Sequence, residues 1–128
     1  MSVELITSVA SLIGGRGFGT VGEDIFTVIM PESPKNCIAI IPTGGSRRGH
    51  TPNVNTAFQI ICRNESPRNG LTIINSLHSV FNNAWGEIYT GLLGRFTNES
   101  EPGSFIVDSN NHFLYNINVT FQSAKNYS

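Results

Sequence analysis

The chain has 128 residues, which fits one domain able to bury about two thirds of its unfolded surface around one core. Charged residues make up only 13% of it, below the ~25% of average soluble chains, and Asn, Ser and Thr carry much of the polar role. The net charge of -1 excludes a nucleic-acid polycation, and the low-charge, amide-rich composition suits a surface covered by neighbours.

The charge is nonetheless uneven along the chain. Residues 33–64 hold no acid but contain Lys35, Arg47, Arg48 and Arg63. Residues 96–110 hold no base but contain Glu99, Glu101 and Asp108. Segments of opposite sign can mate head to tail between identical subunits.

The N-terminus, MSVELITSVASLIGG, has no basic n-region and carries Glu4, so neither a signal peptide nor a membrane span is expected. The protein is expected to be made and kept in a cytoplasm. The sequons at Asn64, Asn98, Asn118 and Asn126 then read as chance matches in an Asn-rich chain. Ser2 can cap a first helix with Glu4 in its first turn. Leu5, Val9, Leu12 and Ile13 form its apolar stripe, and Gly14-Gly15 end it. Gly17, Gly19 and Gly22 spell G-x-G-x-x-G, but this run follows a helix and precedes a strand. A phosphate there would meet no helix N-terminus, so the run reads as a flexible turn.

Residues 24–30 form the first predicted strand. Both its faces are apolar, which requires burial on both sides, or a helix on one and a neighbouring subunit on the other. Pro31 and Pro34 break it, and residues 36–41 are the second strand. Residues 42–52 read as a loop rich in Gly, Arg and Ser. Residues 54–63 alternate, with Phe58, Ile60 and Cys62 on one face and Gln59, Ile61 and Arg63 on the other. Ser66-Pro67 starts a second helix running to Asn82 or Asn83, its apolar face made by Leu71, Ile74, Leu77, Val80 and Phe81. Gly86 is a plausible stop. Residues 88–97 read as a strand weakened by Gly91 and Gly94, and residues 105–107 as a short extended piece. The clearest strand is 112–122. Phe113, Tyr115, Ile117, Val119 and Phe121 face in, while Leu114, Asn116, Asn118, Thr120 and Gln122 face out. These elements predict an α+β fold, a mostly antiparallel β-sheet with two α-helices packed on one face.

No chemistry-bearing constellation emerges. Cys37 and Cys62 lack metal-ligand spacing and read as buried apolar residues. His50, His78 and His112 are not spaced as ligands, no serine sits in a G-x-S-x-G elbow, and Asp24 and Asp108 form no dyad. No enzyme, cofactor or metal is expected. The loop containing Gly44, Gly45, Arg47, Arg48 and His50 concentrates positive charge and is the candidate contact with a partner or a lumen. Glu99, Glu101 and Asp108 are the acidic candidates for subunit or partner contact.

The chain resembles the bacteriophage minor capsid and tail-terminator family. The resemblance runs through residues 19–26 (GTVGEDIF), 31–36 (PESPKN), Thr43-Gly44-Gly45, the strand 58–63 (FQIICR), the Leu77-His78 step and the last strand from Asn116 to Phe121. Residues 95–108 depart from the family's pattern, which leaves the partner contacts of that stretch open. The resemblance implies an α+β subunit in a sixfold ring that caps the tail tube, stops its polymerisation and offers a head-joining surface. It implies a homo-oligomer, expected as a hexamer, contacting the major tail tube protein and head-tail connector proteins, with transient contact to DNA passing through the lumen. It places the protein in the virion at the head-tail junction, away from any membrane, after assembly in the host cytoplasm. A head-completion or stopper subunit and a monomeric DNA-binding adaptor are the alternatives.

Overall fold

The structure, a computed structural model, describes residues 2–32, 34–47, 53–82, 84–88, 92–98, 106–107 and 112–124. The elements are helix α1 (Ser2–Gly15), strands β1 (Ile25–Thr27), β2 (Cys37–Arg47) and β3 (Asn53–Asn64), helix α2 (Pro67–Val80), and strands β4 (Ala84–Ile88), β5 (Leu92–Asn98), β6 (Ile106–Val107) and β7 (Phe113–Ala124). They build a seven-stranded sheet of order β1-β2-β3-β7-β5-β4, with β6 also paired to β7. The pairings are antiparallel except β1 with β2. This is the predicted α+β architecture.

The alternation read in the two long central strands sets which face is covered. Phe58, Ile60 and Cys62 on β3, and Tyr115, Ile117, Val119 and Phe121 on β7, are buried in one core with residues of both helices. The opposite face, which neither helix covers, carries Gln59 opposite Asn118, Ala57 opposite Thr120 and Ile61 opposite Asn116, all half-buried.

Among the described side chains of α1 the buried positions are Ile6, Val9, Ala10 and Ile13, spaced i, i+3, i+4, i+7. Val9 and Ile13 of the predicted stripe are thus in the core, Ile6 and Ala10 join them, and Leu12 is only partly buried. Helix α2 starts as the sequence implies. Ser66 Oγ accepts from the Asn69 backbone N–H at 3.2 Å, and Pro67 occupies the first turn. Its inner face is Gly70, Ile74 and Leu77, followed by Phe81, while Leu71 is turned outward. Gly70 replaces Leu71 on that face because the Tyr115 ring fills the space. A Cβ at Gly70 would lie 2.8 Å from Tyr115 Cε2, and the Tyr115 hydroxyl donates to the Pro67 carbonyl at 2.9 Å.

An aromatic cluster locks the far end of the core. Phe81 meets Phe96 edge-on at 5.0 Å between centroids, Phe58 meets Phe81 at 6.1 Å, and Phe96 leans on Phe121 at 4.7 Å. Such pairs add about 0.5–1.5 kcal/mol each beyond the area they bury.

Three strand assignments from sequence are corrected. The first strand spans three residues, not 24–30, because the chain turns at Val28. Of the proposed loop at 42–52, residues 42–47 are strand, and 48–52 lie outside the described residues. β2 continues to Arg47 opposite Val54, with a register shift between Pro42 and Gly44. Pro42 can give no N–H to a ladder, and a bulge there keeps the glycine-rich continuation in the sheet. Finally, residues 84–88 and 92–98 form a pair of strands. Gly86, read as a helix stop, lies opposite Gly94 in the β4–β5 ladder.

Strands β5 and β6 lie end to end on the same edge of β7. From Asn98, opposite Val119, to Ile106, opposite Leu114, the chain advances eight positions while β7 advances five. Together they line the side of β7 opposite β3, and β5 in turn pairs with β4.

A candidate assembly surface at the sheet edge

β1 is the outermost strand at one end of the sheet. An exposed strand edge invites pairing with another chain. Here the turn before β1 closes most of it. The Gly22 N–H donates to the Ile25 carbonyl at 2.9 Å, and the Ile25 N–H donates to the Thr20 carbonyl at 3.2 Å. That turn is itself braced, because the Thr20 N–H donates to Asp24 Oδ1 at 2.6 Å. Gly17 and Gly22 supply positive φ angles of 88° and 91°, as the reading of the glycine run as a turn requires.

The other end of β1 closes differently. The Ile29 N–H donates to the Thr27 carbonyl at 2.8 Å, making a three-residue turn with Val28 at its centre at φ 76°. This positive-φ γ-turn is the rare, strained form, and a β-branched residue in it is a true outlier. Strain of this kind costs about 1–3 kcal/mol and persists only where surroundings over-determine the backbone. Its consequence is visible on the surface: Ile29 is 70% exposed, with Val28 at 48% and Val21 at 47%. Beside them opens a groove of about 380 Å³, lined by Val21, Gly22, Phe26, Thr27, Ile29 and Pro31.

The over-determination comes from Arg63. It ends β3 and is 7% exposed. Its Nη2 donates to the Pro31 carbonyl at 2.6 Å and the Pro34 carbonyl at 2.7 Å, and its Nε donates to the Lys35 carbonyl at 3.1 Å. Asn36 adds a further tie, its Oδ1 accepting from the Glu65 N–H at 2.8 Å. The connector between β1 and β2 is thus pinned to the β3–α2 junction by a guanidinium fork. Arg63, counted from sequence among the cations of a basic segment, adds nothing to surface charge because it is buried.

Beside this clamp lies a cleft of about 210 Å³ whose lining includes Asp24, Asn36, Cys37, Cys62, Arg63 and Asn64. Burial pushes the Cys37 thiol pKa up, opposed by the nearby Arg63 charge and reinforced by Asp24. Burial pushes Cys62 up to about 12, with Cys37 adding to the shift. Both thiols are free and buried, as read from sequence. Among the described residues no group of three or more His, Cys, Asp and Glu is placed to hold a metal ion. Among them, too, no helix is long and apolar enough to cross a membrane.

Of the charged-loop candidates, Gly44, Gly45 and Arg47 lie on β2, opposite Ala57, Thr56 and Val54. Arg48 and His50 lie outside the described residues, as do Glu99, Glu101 and Asp108. The structure therefore brings three loop candidates onto one strand and leaves the pairing of basic with acidic segments untouched. Sequence reasoning missed the Val21–Val28–Ile29 surface, because Val28 and Ile29 read as the inside of a strand. The available signal was a two-sided apolar strand next to Pro31, for which a neighbouring subunit was one explanation.

No curated protein matches the chain. The protein family described as bacteriophage tail terminator protein matches it over residues 12–124, which takes in β1 through β7 and most of the 128 residues. The chain belongs to the bacteriophage tail terminator family, and is a structural protein of the phage tail.

Proposed function

We propose that the 128 residues act as one domain that assembles into a ring, with six copies the expected number, on the end of the tail tube. The ring occupies the site where the next tube-protein ring would add, so growth stops, and its other side offers a head-joining surface. It works at the head-tail junction of the virion, after assembly in the host cytoplasm. Family membership over residues 12–124 is the observation that carries this reading.

The fold is compatible with it in a specific way. One sheet face is sealed by two helices and the other is a half-buried, amide-rich surface, so the two sides differ in chemistry. A subunit with unlike ends closes into a ring when its head-to-tail rotation divides the circle. In this reading Gly44, Gly45, Arg47, Arg48 and His50 reach a partner or the lumen, where DNA passes. Glu99, Glu101 and Asp108 contact a neighbouring subunit, the major tail tube protein or a head-tail connector protein.

The test is genetic and visual. A phage lacking the gene is expected to make tails of uncontrolled length, or tails that never join heads, with the native gene supplied in trans restoring normal particles. Complementation by an Arg47→Ser/Arg48→Ser variant is expected to be impaired at joining. Normal virions from both the deletion and the variant would sink the reading.

A further inference from the structure

Resting on that ring reading, we infer that the Val21–Val28–Ile29 surface and its groove are the apolar centre of the contact between neighbouring copies of this chain. Three observations converge. The surface sits at the end of the sheet, β1 being the last strand on that side. A head-to-tail ring needs two unlike contact surfaces on each subunit, and an uncovered end of the sheet supplies one of them.

The area is also right for the centre of an interface. From their exposures, the three side chains leave on the order of 300 Å² of mostly apolar surface open. A stable interface takes about 800 Å² per partner, with an apolar core and a polar rim. The exposed acids Glu23 and Glu32 follow the groove residues Gly22 and Pro31 in the chain and suit that rim. An isolated exposed side chain such as Leu71 needs no explanation, whereas Val21 and Ile29 line one groove together, with Val28 next to Ile29 in the chain.

The backbone shows that the patch is held in place. The strained turn at Val28 orients Ile29 outward, and the Arg63 fork holds the connector that follows it. The same turns occupy the Ile25 N–H and carbonyl and the Thr27 carbonyl. Contact is therefore by side chains entering the groove rather than by adding a strand.

The test compares Ile29→Glu with Leu71→Glu, both exposed positions, by light scattering across a wide concentration range. Where the ring needs a template, crosslinking on purified tail tubes from a terminator-deficient phage repeats the comparison. Expected are unchanged melting temperatures for both variants, association of Leu71→Glu like the native chain, and a shift of at least about thirtyfold in the association midpoint for Ile29→Glu. Native-like self-association of Ile29→Glu would overturn the assignment and leave the ring reading intact. If such a variant self-associated normally but lost its hold on tail tubes, the occupant would be the tube protein, which also overturns it. A native chain monomeric both free and on tubes would sink the ring reading, and this inference with it.

Discussion

Replacing Arg63 by Met is the sharpest test of the clamp on the β1–β2 connector. The substitution keeps much of the aliphatic volume and removes the donors to the Pro31, Pro34 and Lys35 carbonyls. Hydrogen bonds to a charged group contribute about 1.5–3 kcal/mol each, but the three contacts share one cation and do not add. Two terms reduce the loss further. Removing the guanidinium ends the cost of burying it, and Lys35, which is exposed, can turn its carbonyl to water. The expected net loss is about 2–3 kcal/mol, seen in urea unfolding by circular dichroism as a midpoint lowered by about 1–2 M. Arg63→Lys keeps the charge but not the planar fork and is expected to lose about half as much. Amide exchange at Val28, whose N–H donates to the Ile40 carbonyl, and at Ile29 is expected to accelerate beyond the global change. A Met variant within about 0.5 kcal/mol of the native protein would refute the clamp, that being the ordinary range of a surface substitution. A Lys variant equal to native would show that charge, not fork geometry, does the holding.

Two further outcomes follow from the packing and the thiols. Gly70→Ala should gain about 1 kcal/mol from helix propensity, yet its methyl would press into the Tyr115 ring at 2.8 Å, so a net loss of about 1–3 kcal/mol is expected; a raised melting temperature would show that the ring yields freely. The Cys62 thiol, pushed up to about 12 when folded from its ordinary 9.0, keeps its proton where the unfolded chain would release it. Its contribution is thus full below pH 9.0 and is lost as pH rises from there towards about 12, at ~1.4 kcal/mol per pH unit. Cys37, also raised, acts in the same direction. Cys62→Ala is expected to flatten the alkaline fall of the unfolding midpoint, and an unchanged slope would refute the assignment.

What the sequence made legible were features written in local periodicity. β7 alternates strictly because one face meets helices and the other does not, so Ile117 and Asn118 had to part company. The Ser66-Pro67 start of α2 is likewise a local signal with a local cause. What was not legible depended on residues distant in the chain. Gly44 and Gly45 have poor strand propensity, and only the β3 ladder opposite Ala57 and Thr56 keeps them extended. Gly86 and Gly94 look like breakers singly and become a cross-strand pair only once β4 folds onto β5. Arg63 read as one cation of an acid-free segment, at the end of a strand, and its carbonyl partners lie 28 to 32 positions earlier. The site was readable least of all, since its defining event is a backbone turn at a valine, which no propensity favours.

The placing of β5 and β6 along one side of β7 carries a consequence for how this molecule can be altered. Asn98 lies opposite Val119 and Ile106 opposite Leu114, and each of these anchor points is fixed by its own ladder. Between them the route uses three positions more than the edge requires, so the count of residues there is decoupled from the register of the sheet. Lengthening or shortening residues 99–105 need not slide β7 by one position and invert its faces. Loop closure is also forgiving, since doubling a loop adds only about 0.6 kcal/mol. The scaffold therefore has a point between Asn98 and Ile106 at which the intervening sequence, here bearing Glu99 and Glu101, can be exchanged while the framework stays the same.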